Sequence, residues 1–84
     1  SLQIFKTLAD ETRLNIISLL AEKTMYGNEL AEKLNLSNAT ISHHVSKLIM
    51  NNVIQAHKED NKLYFQLNKK EFKNTILKSI DNLI

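Results

Sequence analysis

Three residues at fixed intervals constrain this chain more than any other feature. In NELAEKLNLSNATISHHVSKL, residues 28–48, Ala31 is followed four positions later by Asn35, and six after that by Ile41. Two short helices cross steeply only if a small residue lies where their backbones approach, a turn former breaks the first helix and an apolar wedge fills the angle. Asn suits the break because, among residues with a side chain, it enters the left-handed region most readily. Ser37 is placed to cap the second helix, which should run to about Asn51. The spacing predicts a helix-turn-helix over about 28–51.

The second of these helices separates two chemistries. At about 100° per residue, Ile41, Val45 and Leu48 fall on one side. Opposite them lie Ala39, His43, Ser46 and Met50, flanked by Ser42 on one side and by Thr40 and Lys47 on the other, with Asn38 in the first turn. Small polar side chains without a carboxylate can press close to a DNA duplex. A helix in the major groove reads base edges with its N-terminal residues, and its free amides favour phosphate oxygens. The candidate contacts on this helix are therefore Ser37, Asn38, Ala39, Thr40, Ser42, His43, Ser46 and Lys47. No acidic residue occurs between Glu32 and Glu59, whereas Lys33, Lys47 and Lys58 do. That pattern suits a surface meeting polyphosphate, although a solvated neutral face has the same composition.

The adjacent His43 and His44 do not form a metal pair. Two ligands on one helix need i, i+4 spacing, and neighbouring residues point about 100° apart. His43 belongs to the exposed face. His44, beside Ile41 on the wheel, is expected to be half-buried and locally hydrogen-bonded. No metal and no cofactor is expected.

Around this motif the chain reads as further helices and a hairpin. Residues 2–8, LQIFKTL, form a short apolar helix. Asp10 caps a second helix to about Glu22, with Leu14, Ile17, Leu20 and Ala21 in a broad apolar arc that Ile16 and Leu19 widen. TMY offers a scrap of strand before a third helix opens at Gly27 or Asn28. Residues 53–57 and 62–67 alternate as strands, with Ile54, Ala56, Leu63, Phe65 and Leu67 inward and KEDNK as the loop between them. This hairpin would be a wing beside the duplex, with Lys58 and Lys62 on phosphates. Glu59 and Asp60 at its tip argue against deep minor-groove insertion. From Lys69 onward a last helix aligns Phe72, Ile76, Ile80 and Leu83. Arg13, the single arginine, is expected to bury its stem and pair its guanidinium with a carboxylate or carbonyl, with a phosphate contact as the alternative.

Size sets the remaining expectations. A chain of 84 residues buries only about 60% of its unfolded surface, and the absence of cysteine removes disulfides and thiolate metal sites. A second subunit is the remaining means of completion. No apolar run approaches the roughly 20 residues needed to span a bilayer and no signal peptide is visible, so the expected partners exclude membrane and the expected location is the cytoplasm. The opening Ser1, in place of Met, fits a segment of a longer protein. No glycine-rich phosphate loop, carboxylate pair or nucleophile–base arrangement appears, and an enzyme is not expected.

Taken together, FKTLADETRLNIISLL, NELAEKLNLSNATISHHVSKL and VIQAHKEDNKLYFQL resemble the ArsR/SmtB family of winged helix-turn-helix repressors across about residues 4–68. LADETRL is similar to the family's LADPTRL, ATISHHVSKL to its STVSHHLKxL recognition helix, and NKLYFQLN to its second wing strand. The resemblance implies a mostly helical α+β fold: a winged helix-turn-helix with a two-stranded β-hairpin wing and N- and C-terminal dimerisation helices. Residues 1–84 would be a single DNA-binding domain, with the wing at about 53–67 and the last helix at about 69–84. It also implies a homodimer on double-stranded DNA, repressing transcription from a pseudo-palindromic operator. Leu2, Ile4, Phe5, Leu8, Phe72, Ile76, Ile80 and Leu83 would form the interface.

The chain also departs from the family. Its third helix lacks a thiol, and its last helix lacks histidine and carries only Glu71 and Asp81, ten residues apart, as hard ligands. The metal sites of the best-known members are therefore not implied, and no effector is legible. The wing tip KEDNK lacks the family's Arg-Gly-Arg pattern. TMYGNELAEKL is similar to helix-turn-helix modules that end longer regulators, which leaves a C-terminal DNA-binding module, or a winged-helix module that binds protein, as alternatives.

Overall fold

The computed structural model describes residues 2–84. Five helices and three strands follow in the order α1 (Leu2–Leu8), α2 (Glu11–Glu22), β1 (Met25–Tyr26), α3 (Gly27–Leu34), α4 (Asn38–Met50), β2 (Ile54–Glu59), β3 (Lys62–Leu67) and α5 (Lys69–Leu83). The strands form one antiparallel sheet in the order β1–β3–β2. The hairpin predicted as two strands is thus joined by a third. β1 is only two residues long, too short to show an alternation, and pairs Met25 with Phe65 and Tyr26 with Tyr64.

The helix-turn-helix closes as its sequence requires. Asn35 is left-handed, at φ 55° and ψ 47°. The Leu36 amide donates to the Ala31 carbonyl at 3.0 Å and the Asn35 amide to Glu32 at 3.3 Å. These two bonds satisfy carbonyls that the helix end would otherwise leave open. The same closure ends α4, unanticipated from the sequence. Asn52 has φ 59°, and the amides of Val53 and Asn52 donate to Leu48 and Ile49, each at 3.0 Å. Ser37 caps α4 by accepting from the Thr40 amide at 3.1 Å. Asp10 caps α2 by accepting from the Arg13 amide at 2.9 Å.

Ile16, Leu30, Ile41, Leu48, Val53 and Ile54 are fully buried at the centre, with Ile4, Leu20, Met25, Val45 and Phe65 around them. The expected arc on α2 needs correction. Its buried residues are Arg13, Ile16 and Leu20, while Leu14 and Ala21 face solvent. The helix is apolar on more than one side, and only its neighbours decide which side turns inward.

The wing also differs from its sequence reading. Asp60 and Asn61 both have positive φ, 52° and 65°, which is a two-residue turn of the kind that matches the twist of a hairpin. The expected five-residue loop therefore shrinks to two residues, and Lys58, Glu59 and Lys62 lie within the strands. Only Ile54 of β2 is buried, so Ala56 and Leu63, expected inward, are exposed. The ribbon runs past the edge of the core, and its outer half has nothing to pack on.

Candidate nucleic-acid interface

Helix α4 turns Ile41, Val45 and Leu48 into the core, and that commitment fixes what points out. Asn38, Ala39, Ser42, His43, Ser46, Lys47 and Met50 are exposed, as is Ser37 before them. Thr40 is half-buried, and its hydroxyl accepts from that of Ser37 at 2.9 Å. Ser46 donates to the Ser42 carbonyl at 2.8 Å, so toward a ligand it is left with lone pairs only. The amides of Asn38 and Ala39 lie in the first turn, where a helix supplies no carbonyl partner. The whole outward face lacks a carboxylate.

His43 and His44 separate as their spacing requires. Their rings meet edge to face at 5.4 Å between centroids, with His43 outward. The His44 side chain, 13% exposed, turns back to α2, where its Nδ1 lies 3.1 Å from Arg13 Nη1. Burial pulls the His44 pKa below its ordinary value, and the Arg13 guanidinium works in the same direction against the Asp10 carboxylate. The Asp10 carboxyl is itself lowered, first by the Arg13 amide it accepts from. Arg13 is 8% exposed and donates through Nε to the Thr7 carbonyl. This is the expected carbonyl pairing, and burial at that level rules out the alternative of a phosphate contact. Among the described residues, no group of three or more potential metal ligands is assembled.

Beside α4 the wing forms the second wall of an open groove of about 430 Å³. Ile41, Val45 and Phe65 lie along its floor, and Asn38, Ser42, Ser46 and Lys62 are among the polar groups at its edges. The register pairs Lys58 with Leu63 and Glu59 with Lys62. Directly paired residues share a face and successive residues alternate, so Lys58 and Lys62 point to opposite faces of the ribbon. The two lysines expected on phosphates are thus carried on different faces. Lys62 Nζ sits 4.3 Å above the Tyr26 ring, and Tyr26, Tyr64 and His57 form a row across the three strands, at 5.7 Å and 5.9 Å between centroids. The signal for this row was there in KLYFQL, where Tyr64 must oppose Phe65.

The apolar stripes of α1 and α5 divide between inside and outside. Ile4 is 2% exposed and serves its own core, so it presents nothing to a partner. Phe5, Leu8, Phe72 and Ile76 are half-buried against that core. Leu2, Ile80 and Leu83 are exposed, joined by Leu77 and Ile84, which the stripe had not included. No helix of the described residues is long and apolar enough to cross a membrane.

Known proteins share this arrangement. The family model for "Bacterial regulatory protein, arsR family" matches residues 10–55, which hold α2, the helix-turn-helix and the start of the wing. The chain is 37% identical over 65 residues to the transcriptional repressor SdpR of Bacillus subtilis, covering 77% of this chain and 72% of that protein. It is 37% identical over 65 residues to the arsenical resistance operon repressor of Staphylococcus aureus, covering 77% of this chain and 62% of that protein. The crystal structure of the transcriptional regulator HlyU from Vibrio vulnificus superposes with a TM-score of 0.77 at 29% identity, covering 98% of this chain and 84% of that one. This chain belongs to the ArsR family of bacterial regulatory proteins.

Proposed function

We propose that the chain is a sequence-specific DNA-binding regulator of transcription, acting in the cytoplasm as a homodimeric repressor on a pseudo-palindromic operator. The observation that carries this reading is the outward face of α4, which is small, polar and free of carboxylate, beside a ribbon that bears lysine. In the major groove, Ala39, Ser42, His43 and Ser46 meet base edges. Ser37, Thr40, Lys47 and the amides of Asn38 and Ala39 meet the flanking phosphates. One strand's backbone follows the groove between α4 and β3, where Lys62 reaches it from the edge, and Lys58 extends from the ribbon face that carries Leu63 and Phe65. Exposed Leu2, Ile80 and Leu83, with Leu77 and Ile84, provide the contact between two copies. The names of the bacillar and staphylococcal relatives, both repressors, support the direction of regulation and a role without catalysis.

Selection of bound sequences from randomised duplexes tests the reading. The expected product is an inverted repeat whose half-sites are separated by about 10 base pairs, one helical turn. Absence of any enriched sequence at low salt refutes it and leaves a protein-binding module.

A further inference from the structure

Two polar links tie the back of α4 to the first two helices, and both pass through Thr7. At mid-helix, Arg13 Nη1 donates to His44 Nδ1 at 3.1 Å, while Arg13 Nε donates to the Thr7 carbonyl. At the end of α4, Asn51 Nδ2 donates to the Thr7 hydroxyl at 2.9 Å and to the Lys47 carbonyl at 2.9 Å. Thr7 is 2% exposed. Among the described residues no buried side-chain nitrogen or oxygen lacks a partner, so these links belong to a satisfied polar network in which each lost hydrogen bond has a cost. A guanidinium only donates, which makes His44 Nδ1 the acceptor and places the ring proton of the neutral imidazole on Nε2.

None of these side chains reaches the outward face of α4, yet all of them hold it. Resting on the DNA-binding reading above, we propose that Thr7 and Arg13 are positioning residues for sequence discrimination. Through Asn51 and His44 they set the angle at which α4 leaves the body. Base readout needs side chains placed within a few tenths of an ångström, whereas phosphate attraction tolerates misplacement. Loosening the links should therefore reduce preference for the operator more than affinity for arbitrary duplex.

The link at His44 is also sensitive to protons. Around that ring stand Arg13 from α2, Asp10 just before it, and His43 and Lys47 from α4 itself, while α1 presents the uncharged Thr7. Adding a proton turns Nδ1 into a donor facing the guanidinium and adds a cation beside Arg13, with Asp10 at 3.8 Å the one opposing charge. The ratio of operator affinity to random-duplex affinity should accordingly fall on the acid side of the ordinary imidazole range, as His44 takes up its proton.

The experiment measures that ratio for the full chain from pH 7.5 to 5.0 at constant ionic strength, for wild type, His44→Gln, His44→Leu and Thr7→Val. The wild-type ratio should fall about tenfold across the range, the scale of one lost charge-assisted hydrogen bond. His44→Gln retains an acceptor for Arg13 but does not titrate, so its ratio should stay high and flat. His44→Leu and Thr7→Val should show a reduced ratio even at pH 7.5. A flat wild-type profile overturns the proposal, and so does a His44→Gln profile that follows wild type. If His44→Leu fails to fold, Thr7→Val, nearly isosteric, decides at pH 7.5, and an unchanged ratio there again overturns it. A wild type with no sequence preference at any pH refutes the DNA-binding reading itself, a result distinct from these.

Discussion

Replacing Lys62 with glutamine tests whether the wing lies along DNA. Its ammonium rests on the Tyr26 ring at the edge of the groove beside α4, where the proposed path of one strand runs. Each phosphate neutralised on B-DNA contributes about 0.9 to the slope of log K against log salt. A homodimer carries one Lys62 in each subunit, so Lys62→Gln should reduce the magnitude of that slope by about 1.8. Between 50 and 200 mM salt, a fourfold change, the variant should then lose about twelvefold less affinity than wild type. Fluorescence anisotropy with labelled operator, titrated at several KCl concentrations, measures both numbers. The substitution also removes the contact with Tyr26, worth about 0.5–1 kcal/mol at an exposed site, but that loss affects hairpin stability and leaves the slope alone. Lys73→Gln on α5, away from α4 and the wing, is the control and should leave the slope unchanged. An unaltered slope for Lys62→Gln, with operator binding intact, would refute placement of the wing on the backbone while leaving α4 in its groove.

Three further outcomes follow from the structure. Asn35→Val forces a β-branched side chain into the left-handed turn and should cost about 1–2 kcal/mol in urea unfolding, whereas the same change at exposed Asn74 should cost far less. Because the folded pKa of His44 is depressed, its contribution to stability is complete above the ordinary imidazole value and is lost as pH falls through the folded one. Asp10, also depressed, adds a second loss below about 4. Unfolding midpoints measured from pH 8 to 3 should show both declines, and His44→Gln should abolish the first. Leu83→Asp places a charge on the exposed end of α5 and should shift the dimer toward monomer in sedimentation equilibrium, leaving helix content unchanged; a dimer of undiminished affinity would move the interface elsewhere.

What could be read from the chain was whatever a few neighbouring residues decide among themselves. Asn35, Ser37 and the Ile41, Val45 and Leu48 face act within one turn or one helix, and the structure places each as expected. Asn52 obeys the same rule and went unread because the chain turns straight into β2. The α2 arc failed for the opposite reason, since its choice between Leu14 and Ile16 is made by the elements packed on it, β3, α1, α4 and α3. Wing register was lost to one detail. A two-residue turn at Asp60 and Asn61 sets the pairing, and a five-residue loop hides that Lys58 and Lys62 lie on opposite faces of the ribbon. The relay through Thr7 joins residues 31 and 44 positions apart, and no local pattern announces such a contact.

Surface area connects the fold to the proposed dimer. A compact monomer of this size exposes about 5,100 Å², and this chain exposes 5676 Å². The excess has identifiable sources, namely a ribbon unpacked beyond Ile54 and an α5 that passes from half-buried at Phe72 and Ile76 to exposed at Ile80 and Leu83. One end of α5 is thus anchored to its own core, and the other is exposed. α1 is divided in the same way, with Ile4 inward and Leu2 outward. A dimer built on these ends would rest on helices that are firmly seated in each subunit. Thr7, the last buried residue of α1, is also the residue to which α4 is tied. In such a dimer the subunit contact and the angle of α4 would both depend on α1 around Thr7, which would give a change at the interface a short physical route to bound DNA.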